Sequence, residues 1–106
     1  MSRRDKMVSL IKEVSARFLE EESNRTSLIT VTNCIVSEDI KRATIFISVL
    51  PTDKENAAIG FAKRKRGELR QVLKKNLNTK IIPYLDIEID KGEKNRQKID
   101  ELLREK

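Results

Sequence analysis

No histidine and no tryptophan occur among the 106 residues, and cysteine occurs once. Without histidine the chain lacks the side chain that ordinarily titrates near neutral pH, and with it the usual general base and the commonest metal ligand. One cysteine builds neither an internal disulfide nor a cysteine-rich zinc site. Ser15, Ser37 and Ser48 have no imidazole to activate them, and no glycine-rich phosphate loop is present. No enzyme, cofactor or metal is therefore expected. Aromatic residues are scarce, three phenylalanines and one tyrosine, too few for a platform that stacks successive single-stranded bases. No apolar run approaches the ~20 residues that span a bilayer, and the polar start Met1-Ser2-Arg3-Arg4-Asp5 does not read as a signal peptide. A soluble, cytoplasmic protein is therefore expected, and a monomer; chains usually divide only well above ~150 residues, so one domain over residues 1–106 is expected.

What is present is periodic. From Asp5 to Glu22 the spacing of Met7, Ile11, Val14 and Phe18 predicts an amphipathic helix, its stripe widened by Leu10 and Leu19. Beyond Ser23-Asn24-Arg25 the period becomes two. Leu28 to Val36 and Ala43 to Leu50 read as strands joined by the short polar stretch Ser37 to Arg42, an antiparallel hairpin. Cys34 is a small, half-buried residue of the first strand. Pro51 ends the hairpin, and Thr52 or Asp53 is placed to cap a helix. Helical composition continues to Leu77, interrupted by Gly60 and Gly67, each costing ~1 kcal/mol relative to Ala. The apolar face changes from Ala57, Ala58, Phe61 and Ala62 to Leu69, Val72, Leu73 and Leu77, which predicts two helices meeting at a kink near Gly67. Pro83 opens a strand in which Leu85, Ile87 and Ile89 point one way and Tyr84, Asp86, Glu88 and Asp90 the other. A short helix over 95–106 carries Ile99, Leu102 and Leu103. Three strands beside segregated helices make a two-layer α+β domain with a three-stranded sheet. A third strand arriving after a helical crossover suits a mixed sheet.

The charge is concentrated. Between Lys63 and Lys75 stand seven basic side chains (Lys63, Arg64, Lys65, Arg66, Arg70, Lys74 and Lys75) against Glu68 alone, while the remaining chain balances at 16 basic and 16 acidic residues. The whole net charge of +6 thus lies across the expected kink. Lys63, Arg66, Arg70 and Lys74 recur at helical spacing and share a face opposite the leucines. An ordinary solvated face would intersperse glutamates to relieve repulsion; this one does not, which points to a polyanion. The alternate carboxylates Asp86, Glu88 and Asp90 are commonplace on a wet sheet face, and they disfavour nucleic acid on that side.

The run Ile29-Thr30-Val31-Thr32-Asn33-Cys34-Ile35-Val36-Ser37-Glu38-Asp39-Ile40, followed by Ala43-Thr44-Ile45-Phe46-Ile47-Ser48, resembles the hairpin of the ribosome-binding factor A family. Ile11-Lys12-Glu13-Val14-Ser15, Gly67-Glu68-Leu69-Arg70, Pro83-Tyr84-Leu85-Asp86-Ile87 and the closing Ile99-Asp100-Glu101-Leu102-Leu103 are similar too, in order, from about Arg3 to Leu103. The resemblance implies a KH-like (type II) fold of α-β-β-α-kink-α-β order. It also implies a non-enzymatic factor that binds the free small (30S) ribosomal subunit, supports late maturation and processing of the 16S rRNA precursor, and aids growth in the cold. Lys65 stands where the family usually has a small residue two positions before the kink glycine. Ala58-Ile59-Gly60 offers an earlier small-x-Gly bend, so the kink falls at Gly67 or at Gly60. The basic extension that follows Leu103 in some relatives is not expected, and without a Gly-x-x-Gly loop the base-reading groove of ordinary KH modules is not carried over.

On this reading Lys63, Arg64, Lys65, Arg66, Arg70, Lys74 and Lys75 grip 16S rRNA phosphates, with Lys41, Arg42, Arg3 and Arg4 as secondary contacts. Phosphate contacts position without specifying, so selectivity falls to the shape of a folded rRNA junction. Two other readings stay open. One is a general KH-like RNA or DNA binder; the other is a protein-interaction adaptor using the last helix or the Asp86, Glu88 and Asp90 face.

Overall fold

The computed structural model describes residues 3–22, 27–77 and 81–92. Helix α1 (Arg3–Glu22) is followed by strands β1 (Leu28–Val36) and β2 (Arg42–Leu50), a 3-10 turn (Thr52–Lys54), helices α2 (Glu55–Arg64) and α3 (Arg66–Asn76), and strand β3 (Tyr84–Ile89). The helix expected over 95–106, with Ile99, Leu102 and Leu103, lies outside the described residues.

The sheet runs β1-β2-β3, with β1 and β2 antiparallel and β2 and β3 parallel. It is the mixed sheet that a hairpin plus a helical crossover produces. Ala43, Ile45, Ile47 and Val49 of β2 and Leu85 and Ile87 of β3 are buried on one face, beneath the helices. Met7, Ile11, Val14 and Phe18 are buried as one stripe of α1, which lies over β1 and touches α3. The small side chains of Ala58 and Ala62 let α2 settle on β2 and β3, and Leu69 and Leu73 anchor α3. Each large aliphatic side chain so buried contributes about 1.5–3 kcal/mol.

β1 carries a feature that its alternation does not announce. Val31 pairs with Ile47 and Asn33 with Phe46, leaving Thr32 as the extra residue of a bulge. The insertion changes parity, so that Ile29 and Val31 before it and Cys34 and Val36 after it all turn toward the core. The Thr32 hydroxyl donates to Asp90 Oδ2 at 2.5 Å, tying the bulge to the far end of β3. Cys34 is consequently fully buried rather than half-buried, and loss of hydration raises its thiol to about 11, with Lys12 offsetting part of the rise. A buried thiol of that kind is unreactive.

The expected side-chain cap at Thr52 or Asp53 is absent. The chain enters α2 through the 3-10 turn, where the Pro51 carbonyl accepts the Lys54 N–H at 3.0 Å and the Thr52 carbonyl accepts that of Glu55. These donors need no side-chain oxygen. The hairpin connection is held by Asp39, whose Oδ1 accepts the Ser37 hydroxyl at 2.6 Å and the Lys41 N–H at 3.1 Å. Ile40 within it sits at φ 61°, a costly conformation for a β-branched residue, offset by packing its side chain on the core.

Candidate nucleic-acid interface

The two crossover helices break at Lys65, two residues before Gly67 and well clear of Gly60, which lies inside α2. Lys65 adopts φ −91°, ψ 0° and serves both helices. Its N–H is shared between the Phe61 and Ala62 carbonyls at 3.1 and 3.2 Å, closing α2, while its own carbonyl accepts the Leu69 N–H at 2.9 Å, opening α3. Any L-residue tolerates that backbone, and the Lys65 side chain leaves along the surface toward Glu68, so a small residue is not needed there.

The seven cations of the ridge divide into two groups. Lys63, Arg64, Lys74 and Lys75 are exposed and make no ion pair among the described residues. Lys65, Arg66 and Arg70 lean on the body of the protein. Lys65 Nζ lies 3.5 Å from Glu68 Oε1 and Arg66 Nη1 lies 3.7 Å from Asp86 Oδ1, both longer than the 2.7–2.9 Å typical of a strong charged pair. Partly exposed pairs of this length are worth about 0–1 kcal/mol and leave most of the positive field intact. Arg66 Nε also donates to the Lys63 carbonyl at 3.1 Å, across the break, and Arg70 Nη2 to the Ile82 carbonyl at 3.1 Å.

The single straight face expected for Lys63, Arg66, Arg70 and Lys74 is therefore bent. Arg66, Arg70 and Lys74 follow one another along one flank of the Leu69–Leu73 stripe, but Lys63 belongs to α2 on the other side of the break. Arg66 is half-buried because at the first position of α3 it points over the edge of the sheet, where β3 begins.

Lys41 and Arg42 come to the same place. Arg42 pairs in register with Tyr84, and the Tyr84 N–H donates to the Lys41 carbonyl at 2.8 Å. The Arg66 guanidinium carbon lies 5.8 Å from the centre of the Tyr84 ring. The end of the hairpin that carries Lys41 and Arg42 and the start of α3 thus adjoin one exposed tyrosine. Arg3 and Arg4, exposed on the first turn of α1, share no hydrogen bond or ion pair with the ridge among the described residues. Tyr84 and Asp86 as neighbours of Arg66 were not legible from spacing, since only the parallel crossover brings position 66 to position 84. Among the described residues no three carboxylate or thiol groups are placed to hold a metal ion, and no helix is long and apolar enough to cross a membrane.

A mixed three-stranded sheet whose crossover helices carry a bent cationic ridge makes this an α+β protein. The chain belongs to the ribosome-binding factor A family, whose sequence model matches residues 3–103. It is 36% identical over 107 residues to ribosome-binding factor A of Clavibacter michiganensis, covering 98% of this chain and 64% of that protein. With the relative from Thermodesulfovibrio yellowstonii it shares 31% over 105 residues, covering 97% and 89%. The chain thus spans less than two thirds of the length of its Clavibacter relatives. The fold is similar to the crystal structure of ribosome-binding factor A from Thermus thermophilus (TM-score 0.73, 16% identity, 81% of this chain and 93% of that one). It is also similar to the solution structure of a putative ribosome-binding factor A from Thermotoga maritima (TM-score 0.69, 23% identity, 81% and 85%). A Thermus thermophilus homology model fitted into a cryo-EM map of a 30S–RbfA complex matches at TM-score 0.69 and 16% identity, over 79% and 91%.

Proposed function

We propose that this chain is a non-enzymatic ribosome-assembly factor of the cytoplasm. It binds the free 30S subunit as a monomer and supports late maturation of the subunit, including processing of the 16S rRNA precursor and growth in the cold. The observation that carries the reading is the ridge itself: Lys63, Arg64, Lys74 and Lys75 are exposed and unpaired among the described residues, on helices whose opposite faces are locked into the core. Such a surface presents fixed positive charge at no cost in internal ion pairs, which is what a phosphate backbone requires. Family membership and the 30S complex built with a relative of the same fold support the partner. Glu88, further along the open sheet face, disfavours RNA there, so the molecule meets RNA with the ridge and the start of β3.

Co-sedimentation with purified 30S subunits across a salt series tests this. If about five phosphates are neutralised, log K falls against log salt with a slope of roughly −4 to −5. Retention on 30S subunits at low salt with that slope is expected. A flat salt response, or capture by proteins after nuclease digestion, overturns the reading.

A further inference from the structure

Tyr84 stands outside the phosphate-gripping account. It opens β3 with 56% of its surface exposed, far more than a residue recruited for the core. Its backbone is fixed by the hydrogen bond to Lys41, and on the outer face of the sheet it lies beside Arg42 in register. Arg66, held by the Lys63 carbonyl and by Asp86, places its guanidinium 5.8 Å from the ring centre. One guanidinium therefore lies against an exposed aromatic ring, the only tyrosine of a chain without tryptophan, and the hairpin end that carries Lys41 and Arg42 adjoins it through the backbone.

Phosphates gain nothing from a ring face; nucleobases do. Stacking of a base on an exposed aromatic side chain is worth ~1–3 kcal/mol and is tolerant of base identity, and a neighbouring guanidinium adds a cation–π contribution. Asp86, two residues along the same face, repels a phosphate but accepts a hydrogen from a base amino group. Both features favour a base over a phosphate at this spot. With one ring available, the site takes one base, not a run of them.

Building on the rRNA-binding function proposed above, we infer that Tyr84 stacks a single unpaired nucleobase, bulged from or projecting at a junction of otherwise folded RNA, while Arg66, Lys41 and Arg42 hold the flanking phosphates. The station supplies what the ridge lacks, a means of telling a duplex from a helix with an extruded nucleotide.

Because Tyr84 is the sole intrinsic fluorophore of its class, the test reads the ring directly. Two RNA hairpins identical except for a bulged adenosine in one and an abasic bulge in the other are titrated against the full chain at low salt. The adenosine hairpin is expected to quench tyrosine emission and to bind about 5- to 150-fold more tightly than the abasic one. Tyr84→Phe keeps that ratio, whereas Tyr84→Leu, apolar but not planar, brings it to one with folding unchanged by circular dichroism. Equal, salt-dependent binding of both hairpins with unchanged emission overturns the stacking station and leaves the cationic ridge standing. Absence of salt-dependent binding to either hairpin overturns both.

Discussion

Arg70 donates through Nη2 to the carbonyl of Ile82 at 3.1 Å, stitching α3 to the segment that leads into β3. One cation of the ridge is thus also part of the fold, while Lys74, one turn further on, is exposed and unpaired among the described residues. Arg70→Ala leaves the carbonyl of a buried residue without its charged donor and is expected to cost ~1–2 kcal/mol of stability. Lys74→Ala and Lys75→Ala are expected to stay within about 0.5 kcal/mol of the parent. All three are expected to weaken 30S binding if the ridge grips rRNA phosphates as proposed. Thermal unfolding beside co-sedimentation separates the two roles, and an Arg70→Ala variant as stable as the parent shows that the Ile82 contact contributes nothing.

Glu68 is the single acidic residue among the ridge cations, 3.5 Å from Lys65. Glu68→Gln removes its charge and the ion pair with Lys65, raising the positive field of the ridge. RNA affinity is expected to rise several-fold, and the salt slope to steepen by up to about one unit as one more phosphate is neutralised. Unchanged affinity and slope across the same salt series count against Lys65 as an RNA contact.

Ser15 is fully buried on α1, and its hydroxyl has no hydrogen-bond partner among the described residues. A stranded hydroxyl is a liability, and serine is also the poorer helix former. Ser15→Ala is expected to stabilise the protein by ~1 kcal/mol, which raises Tm by about 4–8 °C in a chain of this size. A lower Tm shows that the hydroxyl is satisfied in solution.

Elements that rest on local periodicity were legible in the sequence. The α1 stripe of Met7, Ile11, Val14 and Phe18, the alternation of β2 and β3, and the change of apolar face from Ala58 and Ala62 to Leu69 and Leu73 each lead to the element that the fold contains. Features that rest on a distant partner were not. Alternation in β1 gives no sign that Thr32 is an inserted residue, because the bulge is defined by the register with Phe46 and Ile47. The missing cap at Thr52 reflects carbonyls that a preceding 3-10 turn supplies. At the candidate interface, charge density alone singled out the ridge, and the wet face of Tyr84 followed from strand parity. The contact between Arg66 and Tyr84 depends on where a 33-residue crossover sets β3 down, and no local pattern carries that information.

Lys41 and Arg42 are held in place by a turn that depends on a charge. Donation from the Ser37 hydroxyl, and then from the Lys41 N–H, holds the Asp39 carboxyl below its ordinary 3.8. A carboxyl whose folded pKa is depressed contributes stability that is fully present above the unfolded value and is lost as pH falls through the folded one. The turn is therefore expected to keep its order throughout the neutral range and down past pH 3.8, loosening only in stronger acid. Hydrogen exchange at the Lys41 amide, followed by NMR as pH is lowered, reads this directly. Asp39→Asn keeps an acceptor oxygen but removes the charge, so faster exchange already at neutral pH, with the acid step gone, is the expected outcome. If protection of the Lys41 amide, relative to an unstructured amide at the same pH, is instead lost while the pH is still well above 3.8, the ionised carboxylate is not what holds the turn.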